Sequence, residues 1–343
     1  MTHPASSAHE MAERDRRWQF LTSYAIKWIA IITMVLDHVA AIIIWQIYGD
    51  VWRSGARADA AAWYDLYLLM RHIGRIAFPL FCFLLAEGFA HTRSKPKYAW
   101  RLFLFALIAE WPYDFALYGT GFELVEHQNV MFTLLVSFLA LWGGEALGGL
   151  IDRALARRRG GAGLAGHTRL GAHGAPGASA GTGLSAAASA HGTLGAISAG
   201  GDGLAGTAGS PAALGAHAAT TAIPVRSAER GLTLPVILCT VALVLVGAVF
   251  ADVTEMSYHA FGVLLCGALY LGRRFRLLQI ALGALLVAWY CWDHADLFES
   301  YAVIGLALLL FYNGKRGRAM KWFFYVFYPA HLLIIAAIAA LMG

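Results

Sequence analysis

The side chains best suited to chemistry in this chain sit inside long apolar runs. Asp37 and His38 interrupt the run from Tyr24 to Tyr48, and Arg71 and Arg75 interrupt Leu66 to Ala90, which also holds Glu87. Glu110 and Asp114 lie within Tyr98 to Gly119, and His331 follows Tyr328-Pro329 within Met320 to Met342. A charged group at the centre of a hydrocarbon layer costs at least about 2.5–3.5 kcal/mol on insertion scales, so those that occur there usually face a bundle interior or a wet cavity. Counted at about 1.5 Å per residue from one membrane face, His38, Arg75, Glu110 and His331 fall near mid-depth, in roughly one layer. Two chemistries fit such a layer: a buried reaction or transport site, and interhelical ion pairing that only holds a bundle together, such as Asp37 with Arg75.

Spacing sharpens the candidates. Asp37 and His38 are neighbours and point about 100° apart on a helix, so adjacency alone does not make them a dyad; Asp37 is expected to meet a cation from another helix. Lys27 precedes His38 by eleven residues, within about 20° of whole turns, so the two share a face about 16 Å apart along the axis. At the membrane edge Lys27 can snorkel to the interface or hold a phosphate. Arg71 and Arg75 are four apart and share a face, and Pro79 follows them.

These groups need elements to carry them, and composition says which kind. Of the 343 residues 59% are hydrophobic and only 14% charged, against roughly 25% charged in average soluble domains; mean hydropathy is +0.59. A membrane span takes about 20 mostly apolar residues. Besides the four runs above, such segments read Asn129 to Leu147, Leu232 to Phe250, Tyr258 to Gly272, Leu277 to Trp292 and Ser300 to Tyr312. The sequence thus predicts an all-α polytopic membrane bundle of about nine transmembrane helices. Its parts are a cytoplasmic tail (1–23), a first set of four helices (24–147), a disordered cytoplasmic insertion (148–230) and a second set of about five helices (231–343). The insertion is expected from its Gly, Ala, Ser, Thr and His composition after about Gly160, which holds too few large apolar side chains to offset the entropy of ordering it. Its His167, His173, His191 and His217 have no ligand spacing.

Charge orients the bundle. With the N-terminus in the cytoplasm and alternating spans, Lys and Arg fall in the cytoplasmic segments, and only Arg53, Arg57, Arg71 and Arg75 lie elsewhere. The opposite loops are acidic, with Glu123, Glu126, Asp252, Glu255, Asp293, Asp296 and Glu299. This is the positive-inside pattern of an inner-membrane protein, with a periplasmic C-terminus. The net charge of +5 therefore reflects topology and implies no nucleic acid; the partner it implies is the lipid bilayer. Cys82, Cys239, Cys266 and Cys291 lie in apolar runs without metal or redox spacing, so neither a disulfide nor a structural metal is expected. The polar first 23 residues lack the short apolar core and small-residue cleavage site of a signal peptide.

The segments Tyr24-AIKWIAIITMVLDHVA, RHIGRIAFPLFCFLLAEGF, AEWPYDF, QNVMFTLL, FYNGKRG and FYPAHLL together resemble the TraX family, over most of 24–147 and 232–340. That resemblance implies a bacterial inner-membrane protein linked to N-terminal acetylation of pilin. A wider likeness is to membrane acyltransferases of the acyltransferase-3 type, which carry a basic residue, ten intervening residues and a histidine in the first helix; Lys27 and His38 match that spacing. Their paired arginines are separated by two residues, whereas Arg71 and Arg75 have three between them. The likeness implies acetyl-CoA as the donor substrate and a pilin or another envelope protein as acceptor. His38 is then the base or the carrier of the acetyl group. Arg75 steadies an oxyanion or pairs with Asp37, Glu110 belongs to the same layer, and His331 is a second base or a structural hydrogen-bonder. Lys27 and Arg71 are the candidates for the CoA phosphates. A proton-coupled or solute transporter and a non-catalytic assembly factor for pili are the other functions open to the same residues.

Overall fold

The computed structural model describes residues 18–119, 127–169, 232–318 and 320–342. The N-terminal tail as far as residue 17, the bulk of the expected insertion (170–231), and Glu123 and Glu126 lie outside the described residues. The described residues form helices joined by short turns.

Helix α1 (Ser23–Val39) starts where the Thr22 hydroxyl accepts from the Ala25 N–H at 3.2 Å, satisfying one of the open donors of a first turn. A π-helical turn, Ala40–Ile44, carries it into α2 (Trp45–Arg53). Helices α3 (Arg57–Gly74) and α4 (Ala77–His91) follow one another with a break at Arg75-Ile76. Then come α5 (Lys95–Tyr118), α6 (Val130–Arg169), α7 (Leu234–Val253), α8 (His259–Leu271) and α9 (Arg276–Asp293). A 3₁₀ turn Phe298–Tyr301, α10 (Ala302–Leu308) and a second 3₁₀ turn Leu309–Phe311 form one short rod before α11 (Lys321–Met342). Each apolar run read from the sequence coincides with a helical segment here. Two boundaries differ most: the helix expected from Leu66 starts at Arg57, and α6, expected to end at Leu147 before an insertion beginning at 148, continues to Arg169. Gly148 serves close packing, whereas a Cβ on Gly149 would meet open space.

Among the described residues, five helical stretches are long and apolar enough to cross a membrane: Ser23–Arg53, Arg57–His91, Val130–Arg159, Leu234–Val253 and Trp322–Met342. The expectation of about nine is not met on length and composition. Helix α5 carries Lys95, Lys97, Arg101, Glu110 and Asp114 along its length. Helix α8 has 13 residues, about 20 Å at 1.5 Å each, short of a hydrocarbon layer of about 30 Å.

By its contacts the chain divides into two units at Arg157 and Ser227, and the first holds the described residues within 18–157 and 232–342. In the first, α8 is the hub. Most of its side chains are buried, and it packs against α7, α4 and α9. Phe83, Phe89, Phe138, Phe261, Tyr270, Leu265 and Leu269 are nearly inaccessible around it. Helices α6 and α7 cross antiparallel at Gly144 and Gly148. A Cβ on Gly144 would come 2.5 Å from Thr240 Cα, and one on Gly148 2.4 Å from Val236 Cα. Only glycine allows backbones that near, which is how small-xxx-small pairs drive helix association where lipid removes the hydrophobic incentive.

Contacts define two ends. At one, Leu21 bridges to Tyr312, Ser23 Oγ lies 2.9 Å from the Tyr312 hydroxyl, the Arg276 guanidinium lies over the Tyr312 ring, and Lys95 pairs with Glu145. At the other, Gln46 Nε2 donates to the Ala339 carbonyl at 3.3 Å and Tyr113 meets Ser257 at 3.2 Å. The sequence-derived site residues other than Lys27 sit between.

Candidate functional site

His38 and His331 meet. His38 Nδ1 and His331 Nε2 are 3.1 Å apart, with ring centroids 5.0 Å apart. His331 Nδ1 lies 3.0 Å from the Phe327 carbonyl, one turn back on its own helix. A carbonyl only accepts, so His331 Nδ1 is the protonated nitrogen and, in the neutral ring, Nε2 carries the lone pair. His38 Nδ1–H therefore donates to His331, which leaves the lone pair of His38 on Nε2. The hydrogen-bond network thus assigns both tautomers. His331 is buried and His38 half-buried. Pro329, inside α11 just before His331, removes a backbone donor from that turn, and the π turn begins two residues beyond His38. Tyr328 flanks both rings, with centroids 6.5 Å from His38 and 5.6 Å from His331.

Asp37 faces away from this pair, as the 100° step requires, and takes two cations, Arg71 from α3 and Arg75 from the break that follows it. Arg71 Nη1 donates to Asp37 Oδ2 at 2.7 Å, and Arg75 Nη2 donates to Oδ1 at 2.8 Å and Oδ2 at 3.0 Å. Arg75 also donates through Nη1 to Glu299 Oε1 at 2.7 Å. Two carboxylates and two guanidinia thus form a neutral quartet linking α1, α3 and the turn before α10. Phe298 covers it, its ring 5.1 Å from Arg75 Cζ and 5.8 Å from Arg71 Cζ, and His72 stacks on Tyr301 at 4.2 Å. Gly74 permits the approach: a Cβ there would lie 2.3 Å from Asp37 Oδ1.

The quartet changes the reading of two residues. Arg71, expected to share a CoA phosphate with Lys27, is held by Asp37, because a carboxylate accepts from both forks at once. Arg75, expected either to steady an oxyanion or to pair with Asp37, makes the pairing. Glu299 was read as an outer-loop acid. Its position in the polar stretch after Asp293 gave no periodicity from which a buried role could be read.

Glu110 belongs to a separate cluster. It is fully buried, and its Oε2 accepts from the Asn129 backbone N–H at 3.1 Å and from the Asn129 side-chain amide. Asn129 Nδ2 also donates to the Ala106 carbonyl at 2.9 Å, while its Oδ1 accepts from the Met131 N–H at 2.9 Å and caps the start of α6. Glu110 therefore ties α5 to α6. Asp114, one turn further along, is buried as well. Asn129 was legible only as a polar residue at the head of an apolar run.

Lys27 makes no ion pair among the described residues. Its Nζ lies 5.2 Å from the Phe324 ring, beside Arg316. It is half-buried at the end of the bundle marked by Ser23 and Tyr312. Glu87 is at the same end, where it accepts from the Tyr312 hydroxyl at 3.4 Å. An anion reaching Lys27 from that end would find a cation with no protein acid to displace.

The family model described as TraX protein matches residues 23–151 and 218–339 of this chain. Among curated proteins, the probable fimbrial assembly protein FimC, serogroup H1, of Dichelobacter nodosus is 33% identical over 126 residues, which is 35% of this chain and 45% of that protein. The chain thus aligns with less than half the length of that relative. No solved structure matches the chain.

Proposed function

This chain belongs to the TraX family, and from that premise we propose that it is an integral membrane acyltransferase moving an acetyl group from acetyl-CoA to the amino terminus of a pilin-type envelope protein. The observation that carries the reading is the His38–His331 hydrogen bond, whose tautomers leave an unprotonated His38 Nε2. In the reaction the acceptor nitrogen attacks the thioester carbonyl. Its proton passes to His38 Nε2, the N–C bond forms, the C–S bond breaks, and the departing thiolate takes the proton back from the imidazolium. His331 accepts from Nδ1–H throughout and steadies the charge that His38 acquires. The same nitrogen can instead take the acetyl group and pass it on. Lys27, about 16 Å up the same helix face, is placed by its spacing to meet CoA phosphates. Arg75 and Arg71 then act as scaffold, since Asp37 and Glu299 already balance their charge.

The reading includes topology: about nine passes of an inner membrane, N-terminus inside and C-terminus outside. Its support is that the contacts of the bundle join ends that the alternating pattern puts on one side, Tyr312 with Ser23 and Gln46 with Ala339.

One observation favours a second reading, a non-catalytic assembly factor. The buried charges in the quartet neutralise one another, and the relative's name speaks of fimbrial assembly. Labelled acetyl-CoA with the purified protein and a peptide bearing a free amino terminus separates the two. Acetylated peptide with wild type, and at least about 100-fold less with His38→Gln inserted at normal levels, is the expected result. Absence of transfer from a folded wild type to any offered amine leaves the assembly reading.

A further inference from the structure

Where α5 and α11 begin, an open cavity of about 460 Å³ is lined by Pro96, Lys97, Trp100, Arg101 and Trp322. We propose that this cavity seats the headgroup of an anionic phospholipid, whose phosphate lies between Lys97 and Arg101. The two cations are one turn apart on one face of α5. Neither makes an ion pair among the described residues, whereas Lys95, at the start of the same helix, is neutralised by Glu145. Arg101 is partly desolvated: its Cζ lies 5.4 Å from the Tyr98 ring centroid, and its Nε is buried without a hydrogen-bond partner. The Arg101 guanidinium already meets the Tyr325 hydroxyl, but its Nε has no acceptor, and a phosphate oxygen supplies one.

The walls select a lipid over a free phosphate or a nucleotide. Trp100 is 63% exposed and Trp322 62%, and indoles with one apolar and one wet face belong at headgroup depth. Below Trp100 the exposed face of α5 continues as Leu104 and Ile108, at four-residue steps, and below Trp322 that of α11 continues as Val326. A ligand lying here meets two cations and two indoles at its head, then an unbroken apolar strip along two helices. That sequence of surfaces is a phosphate, a glycerol and an acyl chain in order. A nucleotide would leave the strip unused. The inference stands independently of the acyltransferase reading.

The test uses the full chain in mild detergent, titrated with phosphatidylglycerol or phosphatidylcholine, with bound lipid counted by native mass spectrometry and tryptophan emission followed. Saturable binding of phosphatidylglycerol in preference to phosphatidylcholine is expected. Lys97→Gln with Arg101→Gln should weaken it about tenfold, while Arg273→Gln with Arg274→Gln, which removes equal charge at the same end, should change it by less than about twofold. Lys97→Gln alone, at an exposed position, keeps the test open if the double variant does not fold, and should lose part of the affinity. Equal losses in both double variants would mean diffuse surface attraction, and no preference for the anionic lipid, or no loss with Lys97→Gln, would overturn the site. Displacement of the lipid one-for-one by adenosine 3′,5′-bisphosphate would assign the cavity to a nucleotide instead.

Discussion

A histidine buried in a membrane bundle is informative only once its protons are placed, and here one backbone carbonyl places them. Phe327 fixes His331, and His331 fixes His38. Altering His331 therefore probes His38 without touching it. In His331→Gln the amide oxygen can still accept from His38 Nδ1–H, so acetyl transfer should fall by about tenfold. His331→Leu removes the acceptor and leaves the His38 tautomer undirected, so the loss should approach about 100-fold, the scale of a missing acid–base group. Single-turnover rates at saturating acetyl-CoA give the comparison, because they separate chemistry from binding. Equal rates in the two variants would show that His331 does not orient His38. Much of this was legible from the sequence. Polar residue types inside apolar runs, and their equal depth, pick out His38, Arg75, Glu110 and His331. Their partners were less legible, because periodicity within one helix says which residues share a face and nothing of which other helix that face meets. Glu110 and Arg75 share a depth and yet join different clusters.

At the scale of elements, the neutral quartet is a clamp. Asp37 on α1 is joined to Arg71 and Arg75 at the end of α3, and Arg75 to Glu299 before α10. Removing one partner from such a group leaves an uncompensated charge with little access to water, which typically costs about 3–5 kcal/mol. Asp37→Asn should lower the stability of the solubilised protein on that scale, followed by thermal unfolding in detergent. A variant as stable as wild type would show the cluster to be well hydrated. Gly74 tests the same crossing sterically. Gly74→Ala sets a methyl 2.3–2.6 Å from three Asp37 atoms, so α1 and α3 must separate, at about 1–3 kcal/mol for an overpacked contact. The substitution should also lower acetyl transfer, since His38 moves with Asp37; unchanged transfer would separate the clamp from the site. The helices themselves were readable from apolar runs. The π turn Ala40–Ile44 was not, because it lies within an all-apolar stretch, and the α3–α4 break at Arg75-Ile76 comes three residues before the only visible signal, Pro79.

For the whole molecule, length and charge give different accounts of topology. Among the described residues five helical stretches have the length and composition of autonomous spans, while the loop charges are those expected of about nine crossings. The difference lies mostly in α8, α9 and α10. These need not be spans that insert alone, because α8 is enclosed by α7, α4 and α9 and presents little side-chain surface to lipid. A helix buried in protein does not have to match the hydrocarbon thickness with its own apolar length. The ends of α9 carry the decisive markers. Arg276, at its start, lies over the Phe83 and Tyr312 rings, 5.1 and 5.0 Å away, at the end of the bundle that holds Ser23. Asp293 closes the helix, and Asp296 follows it. Reporter fusions placed after Arg276 should therefore read cytoplasmic, and fusions after Asp296 periplasmic, with opposite signals from a periplasm-active and a cytoplasm-active reporter. A cytoplasmic reading at both positions would make α9 and α10 a re-entrant pair and reduce the crossings by two.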